Sequence, residues 1–224
     1  MGDAQAVALL ERKLVEHCSP TLAGLKCASM FTCHLRCPGC PTPAGCGPCR
    51  PMGRDSFDAA LASVRGRLST EGIEIRVLAE RERGMLLLVY RPRMLAATLA
   101  DPDVASFLAS LGYDVCDLDA ALSLLERRVR LSDGLSGRKR TCAFPHEVGL
   151  FLGYPLDDVV SFIASGGTGG SAGGCWRVYS AERDAEDCFC RLRECARECV
   201  ECYERGATIE ELAARGRAAG GQAA

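Results

Sequence analysis

The sequence predicts an α+β fold: a small antiparallel sheet of two or three strands covered by several helices. Two observations carry that expectation. Residues 73–78 and 85–91 are two β-rich runs separated by the charged turn Glu80-Arg81-Glu82-Arg83-Gly84, the pattern of a hairpin. On either side, apolar residues recur at helical spacing, and no repeating strand–helix series appears.

Size and composition set the bounds. A chain of 224 residues is long enough for one sizeable core, and the expected layout is one α+β domain over residues 1–215. A Cys/Pro/Gly-rich inserted loop at 33–51 and a Gly-rich loop at 166–174 interrupt it, and a frayed tail at 216–224 follows. The net charge of −2 argues against nucleic acid or a membrane surface as partner. The longest strongly apolar run, residues 85–90, is too short to span a bilayer. No secretory signal is read at the start, because Glu11, Arg12 and Lys13 follow the apolar residues 4–10 at once. The expected compartment is the cytoplasm, where 15 cysteines point to metal or free thiols rather than a disulfide framework.

In chain order, residues 4–16 form an amphipathic helix on Val7, Leu10 and Leu14, which Pro20 is expected to end. Residues 21–31 are apolar and pack on the core. Asp55 or Ser56 caps a helix to about Leu68, and the hairpin follows. Pro92 opens a short helix to about Leu99. Asp101-Pro102-Asp103 places a cap and a proline at the next helix start, and Gly112 stops it. Asp117 caps a helix with Leu118, Leu122, Leu125 and Val129 on its stripe. Residues 147–152 form one short helix closed by Gly153, and Pro155 starts another through Val159 and Ile163. Residues 175–179 alternate like a strand and are expected to join the hairpin as its third member. Residues 181–205 are the longest helical pattern, and the chain beyond Leu212 reads as frayed.

Three sets of residues could carry chemistry. Cys37-x2-Cys40-x5-Cys46-x2-Cys49 joins two CxxC knuckles, whose short turns aim paired sulfurs at one ion. Zinc is the expected metal and an iron–sulfur cluster the alternative, with Cys33 as a spare ligand. The three-cysteine spacing from Cys33 through Cys37 to Cys40 also matches that of radical S-adenosylmethionine enzymes, but without the strand-rich barrel that spacing requires. On the C-terminal helix, Cys188, Cys195, Cys199 and Cys202 share one face, expected to look into the core because cysteine behaves as a small hydrophobe. Lastly, His146 and Glu147 lie in a block bracketed by Pro145 and Pro155. Phe144, Val148, Leu150, Phe151 and Leu152 surround His146 in sequence, so it is expected to be a buried structural residue. The basic residues Arg127, Arg128, Arg130, Arg138, Lys139 and Arg140 read as a solvated face.

These blocks resemble a bacterial family known as domain of unknown function 3793. The resemblance rests on His17-Cys18-Ser19-Pro20-Thr21-Leu22-Ala23, on Tyr90-Arg91-Pro92, on FPHEVGLFLGYPLDDVVSFI over 144–163, and on Gly174-Cys175-Trp176-Arg177-Val178-Tyr179. It implies an α+β domain without an assigned activity, and supplies no catalytic residues. The cysteine loop departs from the family pattern, so any metal there is this member's own feature. The expected function is a non-enzymatic binding or regulatory module, its partner an unidentified protein or small molecule. The alternative is a small enzyme with a pocket around His146, Glu147, Tyr154 and Trp176.

Overall fold

A computed structural model describes residues 2–35, 52–81, 84–132, 144–165, 171–173, 176–178 and 182–220. The elements follow in the order α1 (Asp3–Leu22), β1 (Ala28–His34), α2 (Arg54–Ser69), β2 (Glu74–Arg81), β3 (Gly84–Tyr90), α3 (Pro92–Leu99), α4 (Pro102–Ser110), α5 (Leu118–Ser132), α6 (Val148–Phe151), α7 (Leu156–Ala164), β4 (Ser171–Gly173), β5 (Trp176–Val178), α8 (Glu182–Glu204) and α9 (Ile209–Gly220). The fold is α+β, as expected. Among the described residues no helix is long and apolar enough to cross a membrane.

The sheet is antiparallel throughout, in the order β1-β3-β2. Its middle strand explains the unbroken apolar run of residues 85–89. Side chains alternate across a strand, and here both faces are covered. Met85, Leu87 and Val89 join Phe31, Cys33 and Ile75 beneath α1, α2, α8 and α9. Leu86 and Leu88 join Ala28, Leu78 and Ala79 beneath α3 to α7. A strand with water on one side would have alternated apolar with polar; β3 cannot.

Two expectations about strands and helices are corrected. The third strand of the sheet is β1, and residues 176–178 pair instead with residues 171–173 as a separate hairpin. β1 reads poorly as a strand because it carries Ala, Ser, Cys and Met, yet it pairs with β3 over seven positions, so partner contacts override local preference. Helix α1 does not stop before Pro20 but runs on to Leu22. The proline costs one backbone hydrogen bond, and the fully buried stripe Leu10, Leu14, Cys18 and Leu22 holds the last turn in place. At the other end of the chain, α9 carries helix to Gly220, with Ile209, Leu212 and Ala213 buried against α1 and α2.

The C-terminal end of α1 is closed by a side chain distant in sequence. A helix leaves its last four carbonyls without helical partners. Ser19 O accepts from Ala23 N at 2.8 Å, and Pro20 O accepts from Leu25 N at 2.8 Å and Lys26 N at 3.1 Å. Thr21 O accepts from Gly24 N at 3.2 Å, and both it and Leu22 O also take donors from Arg91, which follows β3 and is only 7% exposed. Its Nε donates to Thr21 O at 2.8 Å, and Nη2 donates to Leu22 O at 2.6 Å and to Ala213 O of α9 at 2.8 Å. Gly216 lets α9 come this close, because a Cβ there would lie 2.5 Å from Ala23 C and Gly24 N.

Arg91→Ala is expected to destabilise the protein by about 3 kcal/mol or more, since several buried carbonyls lose a charged donor together. Arg91→Lys should recover only part, because one ammonium cannot replace the guanidinium fork. Urea denaturation measures both, and an unchanged midpoint for Arg91→Ala would show that the guanidinium is not the clamp described.

Candidate functional site

The described residues contain an open groove of about 480 Å³ where α2, β2, β3 and α5 meet. β2 is an edge strand, so its outer carbonyls need partners from elsewhere. Arg65 of α2 donates from Nε to Ile75 O at 2.9 Å, and Arg130 of α5 donates from Nε to Leu78 O at 3.3 Å. These two arginines cover the edge and begin the groove's wall.

The rest of the wall is a chain of ion pairs. Arg54 meets Asp58 at 2.8 Å and Glu80 at 2.6 Å. Arg76 meets Glu126 at 3.0 Å and Asp119 at 2.7 Å, and Arg130 meets Glu126 at 2.7 Å. The Glu80 and Asp58 carboxylates raise the pKa of Arg54. For Arg76, burial lowers the pKa, and the hydrogen bonds it donates to Asp119 and Glu126 outweigh it, leaving the net shift upward. Exposed pairs of this kind add little to stability, but they hold the guanidinium planes in fixed positions. Leu61, Val77 and Met85 supply the groove's apolar lining. Four arginines thus stand in the groove's wall with four carboxylates, Asp119 at its outer edge, and among the described residues Arg65 is the groove arginine without a carboxylate partner.

The block around His146 is organised differently. Glu147 is buried and its Oε1 accepts from Tyr113 OH at 3.0 Å and from Arg128 Nη1 at 2.5 Å. Arg128 also donates to Leu111 O and lies over the Tyr113 ring at 4.7 Å. Burial first, and the Glu147 charge second, push the Tyr113 phenol well above its usual pKa. The carboxylate therefore fastens α5 and the turn after α4 to the start of α6. His146 is half-buried, not buried as expected. It sits in the turn before α6, its ring edge-on to Phe162 at 5.0 Å and to Phe144 at 6.0 Å. Glu147, the next residue, takes the inward direction. Tyr154 faces Lys26, whose Nζ lies 4.6 Å from the ring centre. His146, Glu147 and Tyr154 thus face three different sets of partners, and the Trp176 side chain lies outside the described residues.

The cysteines divide as well. Cys37, Cys40, Cys46 and Cys49 lie outside the described residues, but the neck of their loop does not: Met52 N donates to Leu35 O at 2.8 Å, joining its two ends. Cys33 is in β1, not in the loop. It is buried opposite Met85, and burial pushes its thiol up to about 11. Its side chain packs with Phe31, Met85 and Val89 in the core, and Cys37 and Cys40, the other members of the three-cysteine spacing, lie outside the described residues. On α8, Cys195 and Cys199 are buried, Cys202 is half-buried and Cys188 is exposed, so only the C-terminal part of the expected stripe meets the core. Among the described residues no group of three or more His, Cys, Asp or Glu could hold a metal.

Sequence reasoning missed Arg54, Arg65 and Arg76, which are far apart in the chain and meet only when α2 packs beside β2 and α5. It read Arg128 and Arg130 as one solvated face. The 100° step between helix positions sends Arg128 to Glu147 and Arg130 to the groove, while Arg127 stays exposed.

A family model described as protein of unknown function (DUF3793) matches residues 14–213. No curated protein and no solved structure matches the chain.

Glu147→Ala is expected to cost about 2 kcal/mol, because Arg128 and Tyr113 lose a shared acceptor and Arg128 remains partly open to water. Tyr113→Phe should cost about 1 kcal/mol. In a double-mutant cycle the two losses should fall short of adding. A Glu147→Ala protein as stable as the parent would return this carboxylate to the candidates for chemistry.

Proposed function

We propose, starting from the fact that the chain belongs to the DUF3793 family, that it is a cytoplasmic binding or regulatory module whose ligand seat is the groove between α2, β2 and α5. The observation that supports this reading is the groove's construction: guanidinium groups held by ion pairs beside an apolar lining. Among the described residues Arg65 is the groove guanidinium without a carboxylate partner, so the seat suits a small molecule or a peptide end with one oxyanion and an apolar body. A guanidinium offers a carboxylate or phosphate two parallel donors, and Leu61, Val77 and Met85 would cover the remainder. His146 and Glu147 have other partners, which weakens the enzyme alternative around them.

The loop at 36–51 is a second element of the proposal. Cys37, Cys40, Cys46 and Cys49 would bind one zinc ion, or an iron–sulfur cluster, as a structural metal. The hydrogen bond at the neck supports it, because a loop closed at its base can hold a metal without help from the core. A reducing compartment keeps such thiolates available.

Short-chain carboxylic acids and phosphate monoesters, supplied at millimolar concentration, test the groove. At least one should raise the melting temperature of the parent protein and not that of Arg65→Gln. A panel in which none does so would remove the groove as ligand seat. For the loop, elemental analysis of protein purified without oxygen should find one zinc per chain, or iron with sulfide, and Cys40→Ser should lose most of it. Metal-free parent protein would end that part of the reading.

A further inference from the structure

The last two turns of α8 carry two thiols, Cys199 and Cys202, that the groove and the metal loop leave unused. Cys199 and Cys202 are three residues apart, which on helical geometry places their Cα atoms about 5 Å from one another, inside the Cα range of a disulfide; their Cβ atoms, about 5–6 Å apart on a regular helix, come within the roughly 3.5–4.5 Å of the bond when the last turn before the helix end at Glu204 unwinds. Cys202 is half-buried and lies between two guanidinium groups: Arg205 Nη2 at 3.4 Å and Arg215 Nη1, reaching over from α9, at 3.5 Å. Cys199 is buried one turn back against α1. Cys195, a further turn back, places its Sγ 4.0 Å from Ser19 O.

A helix C-terminus disfavours negative charge, so thiolates here need other support. Hydrogen bonds from Arg215 and Arg205 lower the Cys202 thiol below its ordinary value. At Cys199 the neighbouring Cys195 thiol, which keeps its own proton, does most of the lowering; Ser19 and Arg215 add to it, while burial and Glu198 oppose it, and the net shift is downward. An accessible thiolate beside a second thiol of low pKa has the features of a redox-sensing pair.

We propose that Cys202 and Cys199 form an oxidisable dithiol that reacts with hydroperoxides, Cys202 as nucleophile and Cys199 as the resolving thiol. The Cys202 thiolate attacks the outer peroxide oxygen, the O–O bond breaks, and the leaving alkoxide or hydroxide takes a proton from water. The sulfur becomes a sulfenic acid and the peroxide an alcohol or water. The Cys199 thiolate then attacks the sulfenic sulfur. The S–S bond forms, the S–O bond breaks, and hydroxide departs as water after protonation. Two electrons have passed from the two thiols to one peroxide. The inference is independent of the groove reading.

Trypsin isolates the pair, because cleavage after Arg197 and Arg205 gives a peptide of residues 198–205 that contains Cys199 and Cys202 and excludes Cys195. After treatment of the reduced full chain with hydrogen peroxide and alkylation, this peptide should be found lacking two hydrogens and unalkylated. In Cys199→Ser, Cys202 should instead be trapped as a sulfenic acid by dimedone. Cys195→Ser should still form the 199–202 bond, and Arg215→Ala should slow alkylation of Cys202 several-fold at neutral pH while folding normally. A parent peptide fully alkylated after peroxide, or a disulfide that joins Cys195 to Cys199 in its place, would overturn the assignment. So would dimedone labelling at Cys199 in place of Cys202, or an Arg215→Ala rate equal to the parent's.

Discussion

A buried guanidinium at the end of the central strand sets the arrangement of one whole layer of this protein. Arg91 leaves β3 as its pairing with β1 and β2 ends, and its planar fork reaches the open end of α1 and the side of α9 together. A charge in that position is costly to bury. Its neighbours are carbonyl oxygens of a helix C-terminus, the end that carries the negative pole of the helix dipole, and that offsets part of the cost. The same residue is the N-cap of α3, with Pro92 pre-set for the first turn. One position therefore fixes where α1 stops, where α9 docks and where the chain turns into the opposite layer.

The helices of that layer are also indexed to each other by ion pairs. Arg67 of α2 reaches Glu11 of α1 and, at 2.9 Å, Glu210 of α9, while Tyr203 near the end of α8 donates to Glu11 at 3.3 Å. Burial lowers the pKa of Arg67, and the hydrogen bond and charge of Glu11 more than restore it. Around the buried stripes these contacts fix the rotation of each helix about its own axis. They explain why Gly216 tolerates no larger residue: α9 has no freedom to step back from Ala23 and Gly24.

Much of this was legible in the chain, for reasons that differ by element. The proline and aspartate starts of α3, α4 and α5 were readable because they act locally: Asp101 accepts from Asp103 N and Val104 N, and Asp117 from Ala120 N, within a single turn. The hairpin of β2 and β3 was readable from its apolar runs and charged turn. β1 was not, since its strand character comes from a partner some sixty residues away and not from its own Cys, Ser and Met. Pro20 misled because a local rule met a helix whose last turn is held by a residue seventy positions on. The candidate site suffered most. Each arginine of the groove looks like an ordinary surface residue in its own segment, and only the packing of α2, β2 and α5 brings the four together. His146 and Glu147 attracted attention because histidine and glutamate amid apolar residues look like chemistry, whereas the carboxylate is a structural tie.

The distribution of charge separates what holds the fold from what faces outward. Glu147 and Arg91 are buried and each satisfies several partners from different elements, so neither can change partner without loosening the elements it joins. The groove's pairs are different: Arg54 is nearly half exposed and Asp58 about half, and Asp119 is mostly in water. Exchanging one of these carboxylates for an incoming oxyanion costs little, since an exposed pair contributes little to begin with. Arg65 requires no exchange at all, because its Nε is committed to Ile75 O and its terminal nitrogens meet no carboxylate among the described residues. Binding at that end of the groove would therefore leave the edge of β2 covered and the sheet undisturbed, which is the condition a reversible ligand seat on an edge strand has to meet.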